Sequence, residues 1–127
     1  DKEKFDEMNN NIIRNFSIRR LIGTLTILDA DKVIGHIEEC LQQYEILSNS
    51  KISNKKKISI FIHVGCLIER LIRRCPIEEY PNKEEFEQCQ KIQIELIKKS
   101  FSGIEKAYSV KIPISEIGYI YDILTEL

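Results

Sequence analysis

Two histidines are the first candidates for chemistry in this chain, because an imidazole changes charge near neutral pH and can carry a phosphoryl group. His36 stands beside Glu38 and Glu39, one residue off an apolar stripe, and is predicted to be a partly exposed surface histidine. His63 interrupts the most apolar run of the chain, residues 58–68. The pattern leaves three roles open for His63: a hydrogen-bonded structural histidine, which it favours, a metal ligand, or a nucleophile and phosphorylation site.

The neighbours of His63 on its own helix bear on these roles. A metal ion would need a second histidine or a carboxylate one turn further on, and that position is Leu67. Arg70 follows two turns after His63, about 10.5 Å along a helix, and its long side chain points back toward the helix N-terminus. A phosphoryl group on His63 would need such a cationic donor. A salt bridge from Arg70 to Glu69, to Glu78 or to another helix explains the arginine equally well.

Other patterns for catalysis or cofactor binding are missing from the sequence. The four cysteines, at 40, 66, 75 and 89, form no CxxC pair and are predicted to be buried or half-buried free thiols. No glycine-rich phosphate loop, GxSxG, HExxH or calcium-binding loop occurs. We therefore expect no cofactor and no metal. A small ligand-binding domain or enzyme that uses His63 with Cys66 is kept as a lesser alternative.

Amphipathic helices are predicted to position these side chains. Apolar residues recur at helical spacing, and capping residues or prolines mark the ends. The predicted helices run from an Asp29 N-cap to Ser48, from Lys55 to Cys75, over residues 83–108, and from the residues after Pro113 to the end. The second helix is apolar on more than one face, which predicts a central position in a bundle.

Individual residues predict where these helices begin, end or bend. Pro76 is expected to end the second helix, and an Asn-x-x-Glu capping box at Asn82 to begin the third. Gly103 marks a place where the third helix could bend. Residues 24–28 alternate and are β-branched, which predicts a short extended piece.

Length and composition fit one small helical domain. The chain has 127 residues, a net charge of -1 and only five glycines, which excludes most multi-domain enzymes and gives no field for binding a nucleic acid. No apolar run reaches the roughly 20 residues that span a bilayer. We expect an all-α compact bundle of four to five helices, with residues 1–24 as a lead-in and residues 25–127 as the domain. The chain does not begin with Met, so we expect it to be part of a longer protein.

Three stretches in order resemble the phosphotransferase-system regulation domain (PRD) of levanase-operon-type transcriptional activators. The first, residues 25–34, reads LTILDADKVI; the second, residues 61–72, reads FIHVGCLIERLI; the third, residues 112–120, reads IPISEIGYI. In that family a histidine is followed by an apolar helix and then by Glu-Arg-Leu. His63 matches the family's first phosphorylatable histidine, and Arg70 matches the arginine of the signature.

The resemblance implies a cytoplasmic regulatory module and not an enzyme. Such domains are often dimeric and are phosphorylated on histidine by the phosphocarrier HPr or by a sugar-permease component, so that an attached activator or antiterminator responds to sugar uptake. The family's second histidine does not carry over, because Ile123 stands at its position. A non-phosphorylated helical module for dimerisation or protein interaction is the main alternative.

Overall fold

The structure, a computed structural model, describes residues 29–126, and this part of the chain is entirely helical and loop, without a strand. Its six helices are α1 (Ala30–Ser48), α2 (Asn54–Ile72), α3 (Lys83–Cys89), α4 (Lys91–Ser100), α5 (Ser102–Tyr108) and α6 (Ile114–Thr125). The all-α prediction is confirmed, with six helices in place of four to five. The predicted lead-in and the extended piece at residues 24–28 lie outside the described residues.

The first two helices begin where the capping residues place them. The Asp29 carboxylate accepts from the backbone N–H groups of Asp31 and Lys32, at 3.0 and 3.3 Å, which satisfies donors that have no partner within the helix. The Ser53 hydroxyl accepts from the N–H of Lys56 in the same way. The predicted start of α1 at Asp29 and its end at Ser48 are confirmed.

The prediction that α2 continues to Cys75 is wrong by three residues. The helix ends at Ile72, and Arg74 adopts a left-handed φ of 60°. Its N–H donates to the carbonyl of Leu71, while the N–H of Cys75 donates to the carbonyl of Arg70. These two bonds form a Schellman motif, which stops the helix before Pro76 can do so.

The prediction of one long third helix over residues 83–108 is also wrong. The backbone leaves helical geometry at Gln90 (φ -117°, ψ 36°) and at Phe101 (φ -99°, ψ 8°), which divides the span into α3, α4 and α5. Asn82 precedes α3 as predicted, but its side chain makes no capping bond. The second break lies at Phe101, whose side chain is fully buried. It does not lie at Gly103, the predicted place for a bend, which is inside α5.

Helix α2 is central, as its two apolar faces predict. It packs against α1, α5 and α6, and its residues Ile60, Leu67 and Ile68 are fully buried. None of the described helices is both long and apolar enough to cross a membrane. The packing of α2 on α6 matters most for function, because His63 and Arg70 lie on α2.

The cysteine prediction is correct for two residues and wrong for the other two. All four thiols are free. Cys40 is buried, which raises the pKa of its thiol to about 12, and Cys66 is half-buried. Cys75 and Cys89 are exposed, because they lie after the end of α2 and at the last residue of α3.

Candidate functional site

A buried carboxylate at the start of α6 organises the site. Glu116 has no exposed surface and accepts two hydrogen bonds from one guanidinium, from Arg70 Nε at 3.1 Å and from Arg70 Nη2 at 2.9 Å. Its Oε2 also accepts from the backbone N–H of Ile77 at 3.1 Å. Bidentate pairing of this kind is strong and geometrically specific. Glu116 therefore joins α2, α6 and the chain that follows α2.

His63 lies beside this ion pair without being bonded to it. Its Nε2 is 4.0 Å from Glu116 Oε1, is buried, and has no hydrogen-bond partner. About a quarter of the side chain, 24%, is exposed. The ring of Tyr119 lies against it, with the ring centroids 6.2 Å apart. The expected hydrogen bond of a structural histidine is thus missing at Nε2.

The surroundings favour a neutral imidazole. Burial lowers the pKa of His63 from its usual 6.5, and the positive charge of Arg70 lowers it further. The Glu116 carboxylate acts in the opposite direction and is the smallest of the three causes. At neutral pH the ring therefore keeps a nitrogen lone pair, which is what a nucleophile requires.

Helix geometry explains why these three side chains meet. His63 and Arg70 are two turns apart and so lie on the same face of α2. Pro113 precedes α6 and accepts from the backbone N–H of Glu116. Glu116 is therefore in the first turn of α6, where the helix dipole favours a negative charge.

The loop between α2 and α3 is bonded to the first turns of α6. We call residues 73–82 the connecting segment. The Ser115 hydroxyl donates to the carbonyl of Ile77, and the Tyr119 hydroxyl donates to the carbonyl of Glu79 at 3.0 Å. Together with the bond from the Ile77 N–H to Glu116, three bonds hold the segment beside the His63 site.

Tyr80 completes the attachment of the connecting segment. Its hydroxyl donates to Asp122 Oδ1 at 2.7 Å, and its ring packs on those of Phe86 and Tyr119, each with centroids 5.1 Å apart. A Cβ on Gly118 would lie 2.7 Å from ring atoms of Tyr80. Glycine at 118 is therefore what lets this ring lie directly on the backbone of α6.

Arg70 forms one of the ion pairs considered from the sequence. It pairs with another helix, through Glu116 on α6, and not with Glu69 or Glu78. Glu69 instead pairs with Arg73 at 3.0 Å. Within the part of the chain that the structure describes, no group of three potential ligands could hold a metal ion.

His36 lies elsewhere in the fold. It is half-buried on α1, in agreement with the predicted partly exposed position, and its Nδ1 is 2.9 Å from the Tyr108 hydroxyl. The residue lines an open groove of about 740 Å³ together with Asp29, Lys32 and Tyr108. The structure therefore does not bring the two histidines into one site.

Glu116 is the site residue that sequence reasoning missed. It belongs to a stretch that resembles a family motif, yet no role was predicted for it. The available signal was an acidic residue between Ser115 and Ile117 in the first turn of an apolar helix. A carboxylate there is also explained by the helix dipole alone, so its burial and its pairing with Arg70 could not be read from spacing.

Comparison with known proteins places this site inside a known domain type. Residues 38–127 match the model of the PRD domain family, a range that contains His63, Arg70 and Glu116 but not His36. The transcriptional regulatory protein DagR of Salmonella typhimurium is 25% identical over 117 residues, which cover 88% of this chain and 12% of that protein. The chain thus spans about an eighth of the length of this curated relative. No solved structure matches the chain.

Proposed function

The chain belongs to the PRD domain family, and on that premise we propose that it is the regulatory domain of a bacterial transcriptional regulator that is controlled by phosphorylation of His63. The phosphoryl donors are proteins of the sugar phosphotransferase system, namely HPr or a sugar-permease component. The domain itself is not an enzyme. It acts in the cytoplasm, where it reports sugar uptake to the activator or antiterminator of which it is a part.

One observation carries this proposal: the Nε2 atom of His63 is buried and has no hydrogen-bond partner. An unsatisfied buried polar atom costs on the order of 1–3 kcal/mol, so its presence in a folded protein needs an explanation. A nitrogen that must stay free to react provides one. The lowered pKa of His63 supports the same role, because only the neutral ring can attack phosphorus.

The proposed reaction is a transfer between two imidazoles. A ring nitrogen of His63 attacks the phosphorus of a phosphohistidine on the donor protein, and a new P–N bond forms. The P–N bond of the donor breaks, and its electron pair returns to the donor imidazole, whose other nitrogen carries a proton, so that it leaves as a neutral ring. His63 releases the proton of its other nitrogen to solvent once the new bond has formed. The product on His63 is anionic and labile, so that it can be removed and renewed.

Arg70 is the residue that would support the phosphoryl group. Its guanidinium already lies at the site, because Arg70 Nη2 and His63 Nε2 both approach Glu116 Oε1. A planar fork of N–H donors suits phosphate as well as carboxylate. Ile123, at the family's second-histidine position, is half-buried against the core. We therefore propose a single phosphorylation site in this domain.

Labelling with phosphotransferase proteins tests this function. The chain is incubated with phosphoenolpyruvate, the general phosphotransferase proteins and a permease component, and acid-labile phosphate is measured. We expect labelling of the wild type and of His36→Ala, and its loss in His63→Ala. Persistent labelling of His63→Ala, or none in the wild type with any donor, would contradict the proposal.

A second function, that of a module for dimerisation alone, has an observation in its favour. The side chains of Ile46, Leu47 and Ile92 are exposed by 70%, 47% and 80%, and Leu47 and Ile92 line one shallow groove between α1 and α4. We call Leu47 and Ile92 the apolar patch, and exposed apolar surface of this kind often binds another protein. If dimerisation is the only role, the wild type and His63→Asp have equal dimer constants in analytical ultracentrifugation. A clear difference would favour the phosphorylation model.

A further inference from the structure

The connecting segment, residues 73–82, is bonded to two side chains that lie beside His63. Glu116 faces this nitrogen and accepts from the N–H of Ile77. Tyr119 lies beside the imidazole ring and donates to the carbonyl of Glu79. Both of these neighbours of His63 are therefore bonded to the same loop.

We propose that the connecting segment is a cover that opens to admit the phosphoryl donor to His63 Nε2 and then stays open, because the phosphoryl group takes Arg70 from Glu116. The inference rests on the proposed function and adds the nitrogen that reacts and the element that responds. It assigns the unphosphorylated domain a closed cover and the phosphorylated domain an open one.

The cover is built in a way that allows it to open. No residue of the connecting segment is fully buried, and of its residues only Tyr80 packs against the core. Lifting the part around Ile77 and Glu79, with Tyr80 left in place, therefore exposes little of the hydrophobic core. Arg74 and Asn82, at its two ends, have left-handed φ values of 60° and 56°. Such backbone geometry costs free energy for residues other than glycine, less for Asn than for Arg, and at Arg74 it also ends α2 in the Schellman motif. The two ends are thus natural points for a change of chain direction.

The charge of a phosphoryl group supplies the reason for the cover to stay open. Phosphoryl oxygens on Nε2 would occupy the space in which Glu116 Oε1 now lies, 4.0 Å from that nitrogen. Two anions cannot share this buried position, and the guanidinium of Arg70 can serve only one of them fully. If Arg70 turns to the phosphoryl group, Glu116 loses its partner and moves, and the bond to the Ile77 N–H is lost.

Chemical phosphorylation tests the cover without any phosphotransferase protein. Phosphoramidate transfers its phosphoryl group as its own P–N bond breaks and ammonia leaves. In the His36→Gln chain the only remaining histidine is His63. We expect phosphorus on Nε2, assigned by ³¹P and ¹⁵N NMR, and an increase of about tenfold or more in the hydrogen exchange of the Ile77 amide, as the loss of one charge-assisted bond implies. The His63→Gln chain, treated identically, should show no change at Ile77.

Each other result overturns the inference. Phosphorus found on Nδ1, a phosphorylated ring with unchanged exchange at Ile77, or a His63 that phosphoramidate cannot modify would all contradict it. The proposed function fails independently, when the donor proteins do not label a chain that phosphoramidate modifies. A phosphoryl group that leaves Ile77 protected would contradict the cover and leave the proposed function standing.

A rate measurement examines opening before the phosphoryl group arrives. Tyr119→Phe keeps the ring beside His63 but removes the bond to Glu79. If the cover must open first, phosphorylation of His63 by phosphoramidate should be about three- to tenfold faster in this variant, as the loss of one hydrogen bond implies. Tyr108→Phe, which loses its bond to His36, is the matched control and should leave the rate unchanged. A phosphorylation rate of Tyr119→Phe that equals the rates of Tyr108→Phe and of the wild type would contradict the proposed cover.

Discussion

At the scale of single residues, Glu116 is the side chain that holds the parts of the site together. Its carboxylate has no exposed surface and serves Arg70 and the backbone of Ile77 at once. Removing one partner of a buried ion pair leaves the other charge without compensation, which costs far more than the pair contributes as a whole. Stability should therefore be more sensitive to Glu116 than to any surface acid.

The first prediction concerns that carboxylate. Glu116→Gln should lower the free energy of unfolding by about 3 kcal/mol, because Arg70 stays at a partly buried position without its counter-ion. Glu69→Gln is the matched control, since its partner Arg73 is 60% exposed, and its loss should stay below about 1 kcal/mol. Urea unfolding measures both. Equal losses in the two variants would show that Glu116 is no more than a surface ion pair.

The second prediction follows from the lowered pKa of His63. The folded state binds this proton less readily than the unfolded state does, so the unfolded state holds more protons as the pH falls below 6.5. Above pH 6.5 the ring is neutral in both states, so that its titration does not change the free energy of unfolding. As the pH falls from 6.5 toward the lower pKa of the folded state, the free energy of unfolding decreases. Burial and Arg70 are the causes, while Glu116 works against them.

Comparing the wild type with His63→Gln isolates this effect. The difference between their free energies of unfolding should be constant above neutral pH, and below pH 6.5 the wild type should lose stability relative to the variant. Urea unfolding at a series of pH values measures this difference. A difference that does not change with pH would mean that His63 is not desolvated in the folded protein.

Sequence reasoning at this scale reached His63 and Arg70 but not the residue between them. The two share a face of one helix, and one helix can be deduced from spacing. Glu116 comes from a helix 46 residues further along the chain than Arg70. Only the packing of α6 on α2 brings the carboxylate to the histidine, and the pattern of a single chain does not specify that contact.

At the scale of elements, the junction of the connecting segment with α6 depends on one glycine. The Tyr80 ring packs where a Cβ on Gly118 would stand, at 2.7 Å. Gly103 provides a comparison, because it also lies in a helix and has no atom within 4 Å of the corresponding position. The same substitution at the two sites therefore separates helix propensity from packing.

The third prediction uses this pair. Gly103→Ala should raise the free energy of unfolding by about 0.5–1 kcal/mol, because Gly103 is the second residue of the seven-residue α5 and Ala has the higher helix propensity. Gly118→Ala gains the same propensity but must displace Tyr80, so that we expect a net loss and faster hydrogen exchange at the Ile77 amide. Urea unfolding and amide exchange together measure the result. A stabilised Gly118→Ala chain with Ile77 still protected would refute the close packing of Tyr80 on α6.

Helix boundaries show where the pattern of the sequence stops being informative. The capping carboxylate of Asp29 and the hydroxyl of Ser53 act locally, so that the starts of α1 and α2 can be predicted to within a residue. The breaks at Gln90 and Phe101 have no local cause of this kind. Phe101 is 1% exposed, and its position in the core fixes a backbone conformation that periodicity alone does not specify.

At the scale of the whole molecule, the apolar patch and the His63 site belong to different elements. Leu47 is in the last turn of α1 and Ile92 is in the first turn of α4, while His63 and its partners belong to α2, α6 and the connecting segment. If the domain forms homodimers through the patch, as the alternative function requires, a charge placed in the patch should weaken association without preventing phosphoryl transfer to His63. The two properties can therefore be changed separately.

The fourth prediction tests this separation with a charge placed in the patch. Ile92→Glu, at a side chain that is 80% exposed, should weaken self-association at least tenfold in sedimentation equilibrium, because burying a lone carboxylate at an interface is costly. The fold should persist, since the side chain contributes little to the core, and phosphoryl labelling of His63 should be unchanged. Ile72→Glu, at a 39% exposed residue outside the patch, is the matched control and should associate like the wild type. Equal association of all three chains would place the dimer interface elsewhere, and loss of labelling in Ile92→Glu would mean that the donor protein also binds the patch.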